Sequence, residues 1–409
     1  MKEELHLFII WEKAREKEKE IIEDINKNFK ILKVFEIEWN KDEFSNNLSR
    51  FYGTNLPKGS GKEEHCGNGK FLLIIVKIIN PIYEKRLTSK GEKLVNINMF
   101  DKKSYYRELT GGGHKIHATD NQDETNHNLT LLLGKNTKDF LEEYKKEKWD
   151  GEICKISQDL LGARQWNTTG EMFYALNNCI NYAILRNYES LPNEIYENDH
   201  NDIDIICESL IDAAYVLNAI PVFNEDYRVH YKTKVEDKIA YFDLRNIGDK
   251  YYYENMEKDI LKNRVYNEKG FYTLNTEDYF YSLLYHALIQ KPTFKDDYKE
   301  KLMKMKIRNV AMNTTIEEYS RILKEWMIKK EYIIERPIDK SVFFNIENVE
   351  YFKPLVYKEK IVEIIKDEKQ IKELEQKIAE LTTKIESIED SRTWKIMQPI
   401  RNIKKLFKR

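Results

Sequence analysis

Two aspartates, Asp202 and Asp204, stand two positions apart in a short apolar run at 201–207. In a β-strand such positions point to the same face, so both carboxylates would project together while the neighbouring isoleucines face the core. A third carboxylate, Asp243, lies in a second alternating run at 239–245. Hard cations take oxygen ligands, usually one or two carboxylates plus substrate phosphates. Asp202, Asp204 and Asp243 therefore predict a phosphate site that depends on Mg²⁺ or Mn²⁺ and uses these carboxylates in catalysis.

The order of the surrounding elements favours this site, because an isolated Asp-x-Asp pair is also common in turns and on solvated surfaces. The sequence predicts, in order, a helix at 172–185, a loop at 186–192, the Asp-x-Asp strand, a helix at 210–218 and paired strands carrying the third aspartate. This arrangement resembles the DNA polymerase beta-like nucleotidyltransferase superfamily, most closely its bacterial members. The resemblance covers roughly 154–292 and implies a mixed sheet with helices.

The superfamily usually has a Gly-Ser or Gly-Gly loop before its first aspartate, which cradles the nucleotide phosphates. Here the residues in that place are Leu185, Arg186, Asn187 and Tyr188. By this resemblance, Arg186 and Asn187 become candidate contacts to a bound nucleotide. The departure from the glycine loop leaves metal binding better supported than nucleotide chemistry.

A row of basic residues follows the first two aspartates. In the alternating stretch 227–234, Arg228, His230, Lys232 and Lys234 would share one strand face. Cations beside carboxylates suit a polyphosphate with a bound metal ion. The alternative is a solvated edge strand that lysines protect against aggregation, which applies most to Lys234. Arg228 and Lys232 are the predicted ligand contacts.

The first 148 residues alternate strands and helices and predict an α+β sandwich of the ferredoxin-like type. The expected elements are a strand at 5–11, a charged helix at 13–28, a strand at 29–37, a helix at 41–52, a glycine-rich loop at 53–70, a strand at 71–76, a helix at 100–109 and a last strand at 128–133.

A polar cluster at 110–120 contains three glycines together with His114, Lys115 and His117. Glycines allow close backbone approach to a ligand. The layout loosely resembles nucleoside diphosphate kinases over roughly 5–134. That resemblance implies that His117 accepts a phosphoryl group and that His114 and Lys115 contact the ligand. The kinase Lys-Pro-Asp is replaced by Trp-Glu-Lys at 11–13, which favours a degenerate or repurposed phosphate site. A glycine turn whose histidines bond to backbone partners is an equal alternative.

Length and composition bound the remaining possibilities. A chain of 409 residues predicts two domains with appendages, placed at 1–148, 149–350, 351–390 and 391–409. The net charge of −2 gives no global field that favours nucleic acid. Four widely spaced cysteines fit neither a zinc ribbon nor a disulfide framework, and they favour a reducing cytoplasm. We expect neither a signal peptide nor a membrane-spanning helix.

His286, within an apolar helix at 276–290, is predicted to be a hydrogen-bonded core histidine.

The C-terminal part changes character. Apolar residues alternate at spacings of three and four from 371 onward, which predicts a coiled coil at 351–390 and self-association. The tail at 391–409 carries seven basic residues and no acidic one, with Trp394, Ile400 and Phe407 at helical spacing. Such a tail can lie on an anionic membrane surface. The ending resembles the tails of bacterial enzymes that assemble capsule and O-antigen polysaccharide; a nucleic-acid-binding or solubilising tail is the alternative.

Together these features predict a transferase of surface-polysaccharide assembly. It would move a nucleotidyl or phospho-linked group from a nucleotide-activated donor to a polysaccharide or lipid-linked sugar. The expected location is the cytoplasm, peripherally attached to the inner face of the cell membrane. Two alternatives stay open. One is histidine phosphotransfer by the first domain through His117, and the other is a non-enzymatic membrane scaffold that gathers polysaccharide enzymes.

Overall fold

The computed structural model describes residues 3–88, 91–144, 148–193, 202–305, 307, 311, 313–352 and 372–384. The fold is α+β with mixed sheets. The chain divides into two compact units, Met1–Leu323 with Arg336–Asn345, and Lys324–Glu335 with Ile346–Arg409. Both large sheets lie within the first unit.

The first sheet has the strand order β6-β1-β3-β2-β7. Its strands are β1 (Glu3–Ile10), β2 (Lys30–Glu38), β3 (Phe71–Ile79), β6 (Ile116–Ala118) and β7 (Cys154–Ser157), and the strands β4 (Tyr83–Thr88) and β5 (Gly91–Asn96) form a separate hairpin. All neighbours are antiparallel except β2 and β7.

Helices cover both faces of this sheet. They are a 3₁₀ turn (Glu12–Lys17), α1 (Glu18–Asn28), α2 (Phe44–Tyr52), α3 (Gly61–Cys66), α4 (Ile97–Leu109), α5 (Gln122–Leu133) and α6 (Thr137–Tyr144). Alternate residues of β1 enter two different cores, Phe8 with α1 and α4 on one face, and Leu7 with α2, α5 and α6 on the other.

The second sheet has the order β10-β11-β12-β9-β8-β14-β13. Its strands are β8 (Tyr182–Ile184), β9 (Ile203–Cys207), β10 (Ile220–Pro221), β11 (His230–Val235), β12 (Lys238–Asn246), β13 (Val265–Tyr266) and β14 (Tyr272–Thr273). Strands β9 and β12 are parallel, whereas β11 and β12 form an antiparallel hairpin. The helices that follow the first sheet are α7 (Thr169–Cys179), α8 (Leu210–Leu217), α9 (Glu254–Lys262), α10 (Thr276–Ile289), α11 (Asp296–Lys304), α12 (Ile316–Lys330) and α13 (Ile346–Tyr351).

Three predicted elements differ from the structure. The strand predicted at 128–133 is wrong, because these residues form the C-terminal half of α5, which Asn121 caps at its start and Gly134 ends in a left-handed conformation. A leucine-rich run fits a buried helix as well as a strand. The helix predicted at 172–185 ends at Cys179, so β8 occupies its last part. The glycine-rich loop at 53–70 contains α3.

The described part of the predicted coiled coil, 372–384, is helical. Its apolar residues Leu374, Ile378 and Leu381 are each more than half exposed. The rest of the predicted seam and the whole tail at 391–409 lie outside the described residues. Among the residues described, none of the helices is long and apolar enough to cross a membrane.

Arg50 connects the helices of the two sheets. This residue of α2 is 1% exposed, and its guanidinium donates hydrogen bonds to the backbone oxygens of Leu161 at 2.7 Å and of Tyr215 and Val216 at 2.9 Å. The last two residues belong to α8 of the second sheet layer. A buried cation that satisfies three carbonyls therefore fixes the position of α8 against α2.

We expect Arg50→Ala to lower the free energy of unfolding by about 3 kcal/mol or more, because the backbone oxygens of Leu161, Tyr215 and Val216 each lose a hydrogen bond and the buried side chain leaves a cavity. Urea unfolding followed by circular dichroism measures this change. Arg164→Ala is the matched control, since the Arg164 side chain is 65% exposed and its loss should cost within about 0.5 kcal/mol. Equal stability of the two variants would contradict the structural role of Arg50.

Candidate active site

The register of the second sheet brings the side chains of Asp204, Asp243 and His230 together. Asp243 of β12 pairs with Asp204 of β9 on one side and with His230 of β11 on the other. Paired residues of neighbouring strands project to the same face, so the three side chains form a row. Asp202 immediately precedes β9 and lies on the same side as Asp204. The sequence-based placement of the aspartates on one face is therefore supported by the register.

These side chains line a cavity of about 500 Å³. Charged residues of both signs surround it. Its lining carboxylates are Asp202, Asp204, Asp243 and Asp297, and its lining cations are Arg186, Arg245, Lys291 and Lys301. His230, His286, Tyr251 and Tyr298 also line it. A small-molecule ligand with both a cationic and an anionic part would match such a wall.

Asp202, His230 and Asp243 form a possible metal-binding set. Each offers one ligand atom, and these atoms lie within 4.8 Å of one another. The Nε2 atom of His230 is 3.1 Å from Oδ1 of Asp243. Burial, together with the charges of Arg228 and Arg245, lowers the pKa of His230 despite the opposing charge of Asp243. The imidazole is therefore neutral near pH 7, which is the form that binds metal ions.

Asp204 has a different partner. Its Oδ1 accepts a hydrogen bond of 2.6 Å from Nη2 of Arg186, and both residues are buried. Burial and the charge of Asp243 raise the pKa of Asp204, while Arg186 opposes this effect. Burial disfavours the charged guanidinium most strongly, but Asp204, Tyr251 and Tyr252 together outweigh it and raise the pKa of Arg186. Asp204 thus lies beside the Asp202, His230 and Asp243 set but is paired with arginine.

Arg186 also connects the sheet to the helix α10. Its Nη2 donates to the hydroxyl of Tyr251 at 2.7 Å, and this hydroxyl lies 3.0 Å from Nδ1 of His286. Gln290 contacts the same nitrogen at 2.9 Å. Burial and the charge of Arg186 lower the pKa of His286 well below its ordinary value. The prediction that His286 is a hydrogen-bonded, buried histidine is confirmed.

Arg245, two residues after Asp243 on β12, neutralises several carboxylates. It is 3% exposed, and its nitrogens lie 3.3 Å from Asp243, 3.2 Å from Asp339 and 4.0 Å from Asp249. Asp339 belongs to the segment Arg336–Asn345, whose Ser341, Val342 and Phe343 line the cavity. The sequence analysis missed this segment because nothing in its composition indicates a return to the sheet.

The cations that line the cavity differ from those predicted in the stretch 227–234. Arg228 stacks on the ring of Phe223 at 3.7 Å and has Nε 3.9 Å from Asp339, and Lys232 lies opposite Tyr241 in the ladder. Neither is among the residues that line the cavity. Arg186 and Asn187, the two residues predicted in the loop, do line the cavity.

Lys291 and Lys301 line the cavity together with the loop residues Arg186 and Asn187. Asn187 has a left-handed backbone conformation, with φ of 57°, and its Oδ1 accepts a hydrogen bond of 2.9 Å from Lys301. Lys291 follows α10 and is half-buried. Burial and the charge of Arg186 lower the pKa of Lys291. The lysines were missed by the sequence analysis, because only the packing of α10 and α11 brings them to the sheet.

The histidine cluster of the first sheet lies apart from this cavity. His117 on β6 is 5% exposed, and its Nε2 lies 3.0 Å from the Asn128 side-chain amide. Burial lowers the pKa of His117 well below its ordinary value. The ammonium of Lys115 donates to the Thr110 carbonyl at 2.6 Å, and the ring of His114 lies against that of His65. His114, Lys115 and His117 are not cavity-lining residues.

Glu257 and Asp249 form a pair of buried acidic residues next to Arg245. Glu257 of α9 is fully buried and accepts hydrogen bonds from the backbone amides of Gly248 at 2.7 Å and Tyr252 at 3.1 Å. Burial, followed by the charge of Asp249, raises the pKa of Glu257 to about 8. The folded protein therefore holds a proton on this carboxyl that the unfolded chain releases near pH 4.5.

A raised folded-state pKa contributes stability at low pH that is lost as the pH rises through about 8. We therefore expect wild type to lose stability relative to Glu257→Gln between pH 5 and 9, by more than about 1 kcal/mol. Urea unfolding at several pH values measures this difference. Glu254→Gln, an exposed substitution on the same helix, is the control for removing a carboxylate from α9. A difference between wild type and Glu257→Gln that does not change with pH would refute the buried proton.

Comparison with known proteins adds no family assignment. No protein-family model matches the sequence, and no curated protein matches it significantly. The geometry of the cavity and of the two sheets is therefore the basis for assigning a function.

Proposed function

We propose that this chain is a metal-dependent transferase that moves a nucleotidyl or phospho-linked group from a nucleotide-activated donor to a sugar acceptor, in the assembly of capsule or O-antigen polysaccharide. The observation that carries the proposal is the cavity in which ligand atoms of Asp202, Asp243 and His230 lie within 4.8 Å of one another and which Arg186 and Lys291 also line. Carboxylates for a metal ion and cations for phosphate are what phosphoryl-type transfer requires.

The strand arrangement supports the nucleotidyltransferase-fold interpretation. Asp202 and Asp204, before and on β9, are followed by the helix α8, the strands β10 and β11, and then β12, which carries the third aspartate parallel to β9. This is the order that motivated the resemblance. For the first sheet, the order β6-β1-β3-β2 with α1 and α4 packed on one face supports a ferredoxin-like arrangement.

The residues suggest a division of roles. Asp202, Asp243 and His230 would hold a divalent ion, which would supply charge neutralisation to the donor phosphates. Lys291, Lys301 and Arg186 would bind phosphate oxygens and offset the charge that develops during transfer. Asp204, paired with Arg186, would hold that guanidinium in position. Segment 336–345 would limit the access of water to the reacting groups.

We expect the full chain to bind a nucleoside triphosphate more tightly when Mg²⁺ is present, as measured by calorimetry. Asp202→Asn combined with Asp243→Asn should remove this metal dependence. Lys291→Ala should weaken nucleotide binding about tenfold and leave binding of the metal alone unchanged, because a charge-assisted hydrogen bond to phosphate is lost. Asp226→Asn, an exposed aspartate before β11, is the matched control.

The outcomes separate the alternatives. A nucleotide affinity that changes neither on addition of Mg²⁺ nor on substitution of the aspartates would contradict the proposal. Absence of metal and nucleotide binding would favour the non-enzymatic scaffold, for which the exposed Leu374, Ile378 and Leu381 provide a surface for self-association. Histidine phosphotransfer has less support, because His117 is buried and its Nε2 lies next to Asn128.

We further propose that the protein attaches peripherally to an anionic membrane through its tail at 391–409. The seven cations of this tail could each contribute roughly 1 kcal/mol near an anionic surface. Trp394, Ile400 and Phe407 would add an apolar contribution that salt does not screen. Pairing of two coiled-coil segments would present two tails together and raise their effective concentration.

Deletion of 391–409 should release the protein from liposomes of anionic lipid without altering nucleotide binding. Cosedimentation measures the bound fraction, and liposomes of zwitterionic lipid are the control for non-specific adsorption. If the truncated chain sediments with anionic liposomes as wild type does, the tail is not the membrane anchor.

A further inference from the structure

We infer that the cavity selects a later first-row metal ion, such as Zn²⁺ or Co²⁺, over Mg²⁺, because His230 is a metal ligand together with Asp202 and Asp243. The inference rests on the proposed function and deepens it by naming the class of metal. The sequence alone predicts His230 only as one of a row of cations on a strand face. The structure instead places it opposite Asp243 in the β11–β12 hairpin, with Nε2 3.1 Å from the carboxylate Oδ1.

The separation of these two atoms suits a shared ion. Oδ1 of Asp243 is shielded from solvent and has no hydrogen-bond partner among the described residues. Its contact with the imidazole nitrogen is an electrostatic contact without hydrogen-bond geometry. Two ligands at about 2.0–2.1 Å from a tetrahedral Zn²⁺ ion lie about 3.3–3.4 Å apart. The observed separation is close to that value, so an ion between the two atoms would engage both lone pairs.

The neighbours of the set hold its members in place. Arg245 Nη2 lies 3.3 Å from the other oxygen of Asp243, Oδ2, which turns Oδ1 towards His230. The ring of Phe223 makes an edge contact with the imidazole at 5.3 Å between centroids. Groups that orient the ligands in this way are a regular feature of metal sites. Asp204, which the sequence predicts to be a further metal ligand, is not part of the set, and its Oδ1 accepts a hydrogen bond of 2.6 Å from Arg186.

The ligand set then decides the metal. Mg²⁺ takes oxygen ligands in octahedral geometry and keeps several waters. Imidazole nitrogen favours zinc, iron, nickel and related ions, whereas carboxylates alone suit magnesium, calcium and manganese. Two carboxylates and one imidazole give three protein ligands and leave a position for a substrate oxygen, as catalytic zinc sites do.

Co²⁺ is a suitable probe, because its visible absorption reports on its ligands. The metal-free full chain would be titrated with Co²⁺, and the affinities for Zn²⁺ and Mg²⁺ obtained by competition. We expect one Co²⁺ site per chain. His230→Ala should weaken Co²⁺ binding at least about tenfold while changing Mg²⁺ affinity no more than about twofold. His230→Asp should lower the preference for Co²⁺ over Mg²⁺ by a similar factor.

His65→Asp is the matched control, since this exposed histidine lies on α3 of the first sheet. Melting temperatures identify any variant that fails to fold, and His230→Gln replaces His230→Ala in that case. Unchanged Co²⁺ affinity in His230→Ala, or an equal loss of Co²⁺ and Mg²⁺ affinity, would overturn the inference. In either case, nucleotide binding that still depends on Mg²⁺ and the aspartates would leave the proposed transferase function standing.

Discussion

Asp204 and Asp243 are neighbours across two parallel strands, and carboxylates in such positions repel each other unless cations lie close by. This repulsion is the constraint that organises the second sheet. The structure meets it with buried arginines. Arg186 pairs with Asp204 at 2.6 Å, and Arg245 contacts Asp243 at 3.3 Å. Each arginine is buried, so its own desolvation must be offset by hydrogen bonds to several partners.

Those further partners account for much of the surrounding architecture. Arg186 requires the hydroxyl of Tyr251, which in turn contacts His286 of α10. Arg245 requires Asp339, and this places segment 336–345 against the sheet. The backbone amide of Ile338 donates to the Asp249 carbonyl at 2.9 Å and fixes the same segment. Elements far apart in sequence thus meet at one face because the charges there need neutralisation.

The sequence was sufficient for features with a local signal. Alternation of apolar and acidic residues located β9 and β12, and it placed the aspartates on one face. The contact between His230 and Asp243 could also have been predicted from the sequence. Val235 pairs with Lys238 across a two-residue turn, and counting back along both strands brings His230 opposite Asp243. The signal was missed because Glu236 and Asp237 replace the glycine that usually marks such turns.

Other features depend on packing that has no local signature. Lys291 and Lys301 follow or lie on helices whose placement against the sheet depends on tertiary contacts. The leucine-rich run at 128–133 fits a strand or a helix by composition, and only the capping residue Asn121 together with Gly134 favours the helix. Arg228 was predicted to be a ligand contact from its alternation, yet it stacks on Phe223, a residue five positions earlier that the strand pattern does not include.

The balance of charge around the cavity restricts what can bind there. Among the described lining residues, the carboxylates Asp202, Asp204, Asp243 and Asp297 are matched in number by Arg186, Arg245, Lys291 and Lys301. A cation alone would also face Arg186, Arg245 and Lys291, and an anion alone would face the carboxylates. A metal ion with its phosphate ligand carries both signs, so each part can contact side chains of opposite charge. This balance of charge supports the proposal that the ligand is a metal–phosphate complex.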